Sequence, residues 1–165
     1  MAQALRVILE IGRKRRVVAA AHEWPGLDRW GTSEDNALAK LDAYLPRYAA
    51  VAERAGMADA FASQRSPAVI ERVPGSSSTD FWGIAHVPSE TERAVLPAAE
   101  LERRLELLRA CWDHFDETAA RMPPELLPGP RSAGRTRDGI VRHTLGSESH
   151  NFSPKVGVQS GICTT

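Results

Sequence analysis

The strongest constraint on this chain is an apolar series in its second half. Leu101, Leu105, Leu108, Trp112, Phe115, Ala119 and Met122 recur at steps of four and three without a miss, the spacing that lines one side of an α-helix. At about 1.5 Å per residue the seam runs roughly 32 Å. A stripe of that length must be covered by helices of the same chain or of another. Pro123, Pro124, Pro128 and Pro130 end the pattern, and a short helical stretch opens at Thr136 with Ile140, Val141, Thr144 and Leu145 as its buriable residues. Gly139 and Gly146 weaken that stretch by about 1 kcal/mol each relative to Ala. One long helix and one weak one are too few for a closed bundle. The long helix is therefore expected to pack on the remainder of the chain, to pair with another chain, or to belong to a shortened form of a longer protein.

The first half has a different period. Leu5, Val7, Leu9 and Ile11 alternate and share one face of a strand, and the small, β-branched run 17–21 makes a second strand joined to it through a charged turn at 12–16. Pro25 and Gly26 punctuate the chain before a short third strand at 27–30 and Gly31. Thr32 or Ser33 then caps a helix, with Glu34 and Asp35 against the positive end of its dipole. Leu38, Leu41, Leu45 and Tyr48 form its apolar stripe, and Pro46 sets a kink or an end near Leu45. Two further apolar runs, 68–73 and 81–87, flank the loop 74–79 and read as a second hairpin. The fold class is α+β: a small antiparallel sheet with one packed helix, followed by a long helix and a shorter one. The expected division is 1–95, 96–148 and a disordered tail at 149–165.

Composition excludes the extreme classes. The chain has 165 residues, 42% hydrophobic and 25% charged, enough to bury a core without disulfides or a structural metal. Twenty-one basic and twenty-one acidic residues leave no net charge, which disfavours nucleic acid as a partner. Charge is nonetheless uneven: residues 1–20 hold five basic side chains and one acidic, so the other 145 carry sixteen basic and twenty acidic. Cys111 and Cys163 stand far apart in sequence and define neither a zinc site nor a disulfide framework. The apolar run near the N-terminus is broken by Glu10 and precedes its basic cluster, the reverse of a signal peptide. No segment has the roughly twenty apolar residues that cross a bilayer, and a cytoplasmic, membrane-free protein is expected.

Two resemblances follow from these patterns. Residues 6–11, 17–22, Trp24-Pro25-Gly26-Leu27, the run 29–38 containing Gly31, Thr32 and Ser33, and residues 41–48 are similar to the HicB-like fold: strand, strand, Pro-Gly turn, short strand, Gly and capped helix. The better-known members of that family are antitoxins that cap a small ribonuclease and often carry a separate DNA-binding segment; no ribbon-helix-helix or helix-turn-helix pattern follows here. The resemblance implies a protein-binding, regulatory role. Residues 101–148 resemble the first two helices of the DinB-like four-helix bundle, on the Arg-rich capped turn 134–138 and on Ile140, Val141, Arg142, His143 and Glu148. That likeness makes His143 the counterpart of the family's first metal ligand. It implies, as the alternative, a metal-dependent enzyme of the thiol S-transferase class or an inactive, truncated remnant of one. The family's HxxxH pair is absent from this sequence, so a divalent transition metal is implied only if the bundle is completed from elsewhere; otherwise no cofactor is expected.

The candidate residues follow from this reading. No catalytic residue is assigned: the serines at 76–78 have neither a nucleophile elbow nor a base, and the loop lacks the lysine of a phosphate-binding motif. Partner-binding candidates are Arg13, Lys14, Arg15 and Arg16 at the hairpin tip, and Trp24 and Trp30 around the Pro-Gly loop. A charged tip docks a phosphate or an acidic partner, or is a solvated turn that blunts a sheet edge. Tryptophans there mark a contact surface if exposed and close the core if buried. The expected partner is another protein, or a second copy through the 101–122 seam.

Overall fold

The computed structural model describes residues 3–125 and 136–158. Among these, four strands form one sheet in the order β3-β2-β1-β4. Strand β1 (Gln3–Ile11) pairs antiparallel with β2 (Val17–Ala21), and β3 (Asp28–Gly31) pairs antiparallel with the far side of β2. Helices α1 (Glu34–Asp42), α2 (Leu45–Arg54) and α3 (Ala58–Ala62) follow, and β4 (Gln64–Pro74) returns parallel to β1. The α+β class holds, with a mixed rather than purely antiparallel sheet.

Local chemistry explains the first elements. Ser33 caps α1 by accepting a hydrogen bond from the Asn36 amide, and Glu34 and Asp35 occupy the first turn. Of the kink or end expected near Leu45, the structure has an end: the stripe falls on two helices, and Pro46 sits in the first turn of α2, where its missing N–H breaks no hydrogen bond. Leu5, Val7 and Leu9 of β1, with Val17 and Ala19 of β2, pack on Leu41, Tyr48, Val51 and Ala52. Trp24 and Phe61 meet edge to face within the same cluster, their centroids 4.8 Å apart.

The second hairpin is not formed. Residues 68–73 do lie in a strand, but its partner is β1; residues 81–87 contain no strand. Helix α4 (Ser77–Trp82) occupies the ground between, opened by a capping box of Ser76 and Thr79 and closed by Gly83 in the left-handed conformation, φ 69°. After the short helix α5 (Glu90–Arg93) comes the long helix α6 (Ala98–Arg121).

Strand β4 carries a bulge that decides which way its charges point. Val7 pairs with Val69 but Ile8 pairs with Glu71, so Ile70 is left over and the alternation reverses. Arg72 thereby reaches Glu34 of α1 at 2.9 Å, and Glu71 turns to the opposite face. On that opposite face Ile8, Val18 and Val73 are buried yet lie outside the helix-packed cluster. Residues 75–94 cover it.

The chain divides into two compact units, residues up to His114 and residues from Phe115 onward, so the division falls within α6 rather than near residue 96. In the first unit the buried stripe of α6 is not the predicted seam. Leu107 and Ala110 are buried, Cys111 is partly so, and Leu101, Leu108 and Trp112 are exposed. The arginines set this rotation. Glu100 holds Arg103 and Arg104, which donate to the carbonyls of Glu23 and His22, while the Arg103 guanidinium lies 5.3 Å from the Trp24 ring centre.

In the second unit α7 (Arg137–Gly146) is capped by Thr136, as the sequence predicts. Phe115, Ala119 and Met122 line an apolar concavity of about 210 Å³ with Ile140 and Val141. The expected disordered tail is replaced over 149–156 by a π-helical turn (Ser147–Phe152) and a 3-10 turn (Ser153–Val156). Ser153 steadies these by returning its hydroxyl hydrogen bond to the Glu148 carbonyl. Pro128, Pro130, Gly134, Arg135 and residues 159–165, including Cys163, lie outside the described residues. No helix among the described residues is long and apolar enough to cross a membrane.

Candidate functional site

The hairpin between β1 and β2 ends in a tight turn closed by the Gly12 amide on the Arg16 carbonyl, at 2.7 Å. The side chains of Arg13, Lys14 and Arg15 are exposed there. Arg15 adopts φ 83°, the only positive φ at a non-glycine position among the described residues. For a residue with a Cβ this conformation costs about 1 kcal/mol, and glycine would adopt it freely. The tip thus keeps a guanidinium at a backbone position suited to glycine.

Asp80 of α4 fastens the turn to the rest of the unit. Its carboxylate accepts the amides of Arg13 at 3.0 Å and Lys14 at 2.9 Å. The approach is close enough that a Cβ on Gly12 would stand 2.3 Å from Asp80 Oδ1, so glycine is required there. Arg16 donates to the Phe81 carbonyl at 2.7 Å and lies over the Trp30 ring at 4.5 Å, with Lys40 Nζ 4.6 Å from the same centroid. A Cβ on Gly83 would meet the Trp30 ring at 2.5 Å, which locks the end of α4 against Trp30.

The consequence is a juxtaposition that no single stretch of sequence displays. Phe81 is 66% exposed and Trp82 62% exposed, and the two pack edge to face at 4.6 Å beside the cationic tip. Ile84 extends the apolar ground. Of the partner-binding candidates, Arg13, Lys14 and Arg15 stand at this surface, and Arg16 and Trp30 form its half-buried floor. Trp24 does not belong to it. It is 3% exposed in the helix-packed core, against Tyr48 and Phe61, and offers no surface to a partner.

Phe81 and Trp82 were hidden in a run that reads as a strand. The available signals were the serine and threonine three apart at 76 and 79, which make a weak capping box, and Gly83 just beyond a six-residue turn of helix. Asp80 gave no sequence signal at all, since its function is to accept amides nearly seventy residues away.

A second polar cluster lies behind the patch and is structural. Glu10 is 2% exposed; its carboxylate accepts the Thr79 hydroxyl and the amides of His86 at 2.7 Å and Val87 at 2.8 Å. Glu71 likewise accepts the amides of Glu90 and Thr91 and the Thr91 hydroxyl. These hydrogen bonds, the Thr91 hydroxyl first, hold the Glu71 carboxyl below its ordinary range. Each carboxylate accepts three hydrogen bonds from protein donors and fastens the segment that follows β4.

His143 is exposed on α7. Among the described residues no group of three or more His, Cys, Asp or Glu side chains gathers in a metal-holding arrangement, and a three-ligand centre of the kind implied by the DinB-like resemblance does not fit them. Burial pushes the Cys111 thiol up from its ordinary value, away from the thiolate that nucleophilic chemistry needs. No protein-family model, curated protein or solved structure matches this chain.

Proposed function

We propose that this chain is a non-catalytic protein-interaction module with a regulatory role, built on a HicB-like sheet and acting in the cytoplasm. The observation that carries the reading is the exposed Phe81–Trp82 pair set beside Arg13, Lys14 and Arg15 on one braced turn. Aromatic rings and arginines are the side chains that dominate protein interfaces. Here they are held by hydrogen bonds from elements far apart in sequence, so the surface is organised before a partner arrives. Isolated exposed apolar residues need no explanation, but a contiguous aromatic and cationic patch does.

The test is photo-cross-linking in cells from a reactive residue placed at Ile84, followed by identification of the captured protein. Wild-type chain is expected to yield a discrete partner, and the double variant Phe81→Ser, Trp82→Ser to lose it while keeping a native circular dichroism spectrum. Equal capture by the wild-type and the folded variant, or no discrete product from either, would overturn the reading.

A further inference from the structure

The braced patch also specifies the chemistry of what it binds. We infer that its ligand is an acidic protein segment in which a run of carboxylates adjoins large apolar side chains; this rests on the interaction-module reading above.

Charge supports the acidic half. Four consecutive cations occupy the tip, and the Asp80 carboxylate that reaches the turn has each of its oxygens on a backbone amide, of Arg13 and of Lys14. The three exposed side chains at 13–15 therefore project positive charge, while the chain beyond residue 20 carries more acidic than basic residues. An acidic segment is drawn to the tip and disfavoured elsewhere on the molecule. The Arg15 backbone supplies an independent indication. Gly, the residue natural to φ 83°, would relieve the turn, yet a guanidinium stands there and is exposed.

The apolar half follows from Phe81 and Trp82, whose rings offer a greasy step next to the cations. A nucleic acid strand also combines negative charge with stackable rings, but it needs a cationic track along its backbone. The cations here are the four-residue turn and Lys40 beside Trp30, a compact cluster rather than a track, on a chain with no net charge, which favours a short acidic peptide over a polynucleotide.

The test uses the full chain and three fluorescein-labelled probes: a peptide with four Glu followed by Leu-Leu-Phe, the same peptide with Lys for Glu, and a twelve-nucleotide single-stranded DNA. Fluorescence anisotropy at low ionic strength is expected to rank the Glu peptide first by at least tenfold, with affinity falling severalfold when salt is raised to about 0.2 M. Arg15→Gly is expected to weaken binding about threefold to fivefold without lowering the melting temperature. Phe81→Ala with Trp82→Ala is expected to weaken it tenfold or more. Tighter binding of the Lys peptide or the oligonucleotide would overturn the inference, as would binding of the Glu peptide that Arg15→Gly leaves unchanged. If cells yield a discrete partner lost with Phe81 and Trp82 while the Glu peptide fails to bind, the inference fails and the interaction-module reading stands. If both experiments fail, both readings fall.

Discussion

The two faces of the sheet are covered by different kinds of contact. One face lies under α1 and α2 and is held by interlocking apolar side chains, with Leu5, Val7, Leu9, Leu41 and Trp24 all buried. The other lies under residues 75–94, which are fastened by carboxylates. Glu10, Glu71 and Asp80 each accept a pair of adjacent backbone amides. Apolar packing is non-directional and tolerates small shifts, whereas a carboxylate taking two consecutive N–H groups fixes position and orientation at once. The second mode suits a short irregular segment that has few large apolar residues to bury and must still present Phe81 and Trp82 at a defined place.

The comparison can be broken from either side. Trp24→Ala on the helix-packed face is expected to cost about 3–5 kcal/mol, since it removes an aromatic from a closed cluster. Urea denaturation should show a shifted midpoint with one cooperative transition, and a change under 1 kcal/mol would mean that Trp24 is not central to that core. Glu10→Ala on the other face is expected to cost about 3 kcal/mol, because it leaves two amides and a hydroxyl without an acceptor. Its signature is local: amide hydrogen exchange should accelerate at His86 and Val87 far more than at Leu9 or Ala19. Equal acceleration on both faces would show that the carboxylate clamp is not a separate fastening.

Gly83→Ala is expected to cost about 2 kcal/mol, through a positive φ and a Cβ driven into the Trp30 ring. The check is a calorimetric melt together with tryptophan emission, which should shift as Trp30 and Trp82 are displaced. Unchanged emission would count against the docking of α4 on Trp30.

The smallest effects are those of acid. The Glu71 carboxyl sits below its ordinary value, held there by Thr91 and the Glu90 amide. A depressed carboxyl contributes stability that is complete above the unfolded value and is lost as pH falls through the folded one. Residues 90–91 are therefore expected to loosen on acidification below about pH 4.5, and Glu71→Gln should remove that pH dependence when the Thr91 amide is followed by NMR. On α6, hydrogen bonds from Arg103 first and Arg104 next bring Glu100 down from its ordinary 4.5 to about 2. The stability it contributes should fade between those two values and should be absent in Glu100→Gln. Acid should in this way loosen each face at one carboxylate, residues 90–91 through Glu71 and α6 through Glu100, with the Glu100 effect confined to more acidic solution; loss of both contributions together near pH 4.5 would contradict the assignment.

Much of the apolar face was legible in the sequence, because it depends on local rules. Alternation gave β1 and β2, Ser33 and two acids gave the start of α1, and Thr136 gave the start of α7. The other face was hidden because its contacts are long-range and polar. Glu10 reads as an outward residue on an alternating strand, and nothing near it in sequence announces the amides of His86 and Val87. The bulge at Ile70 defeats any alternation rule for β4, since one extra residue sends Glu71 and Arg72 to the faces opposite those a regular strand would give them. The long helix shows the same limit. Its leucines define an apolar stripe, but Arg103 and Arg104 find carbonyl partners and turn a neighbouring stripe inward. The basic tip was visible as a charge run, while its aromatic neighbours came into view only with the chain folded.

The parallel pairing of β1 with β4 also orders events in time. Strand β1 has β2 for a neighbour within a few residues, but its other neighbour ends at Pro74, sixty-three residues after Ile11. At a synthesis rate of about 5–20 residues per second, the hairpin, complete at Ala21, waits roughly 3–11 seconds on the ribosome with one backbone edge open. Glu10 waits with it, a carboxylate whose buried partners have not yet been made.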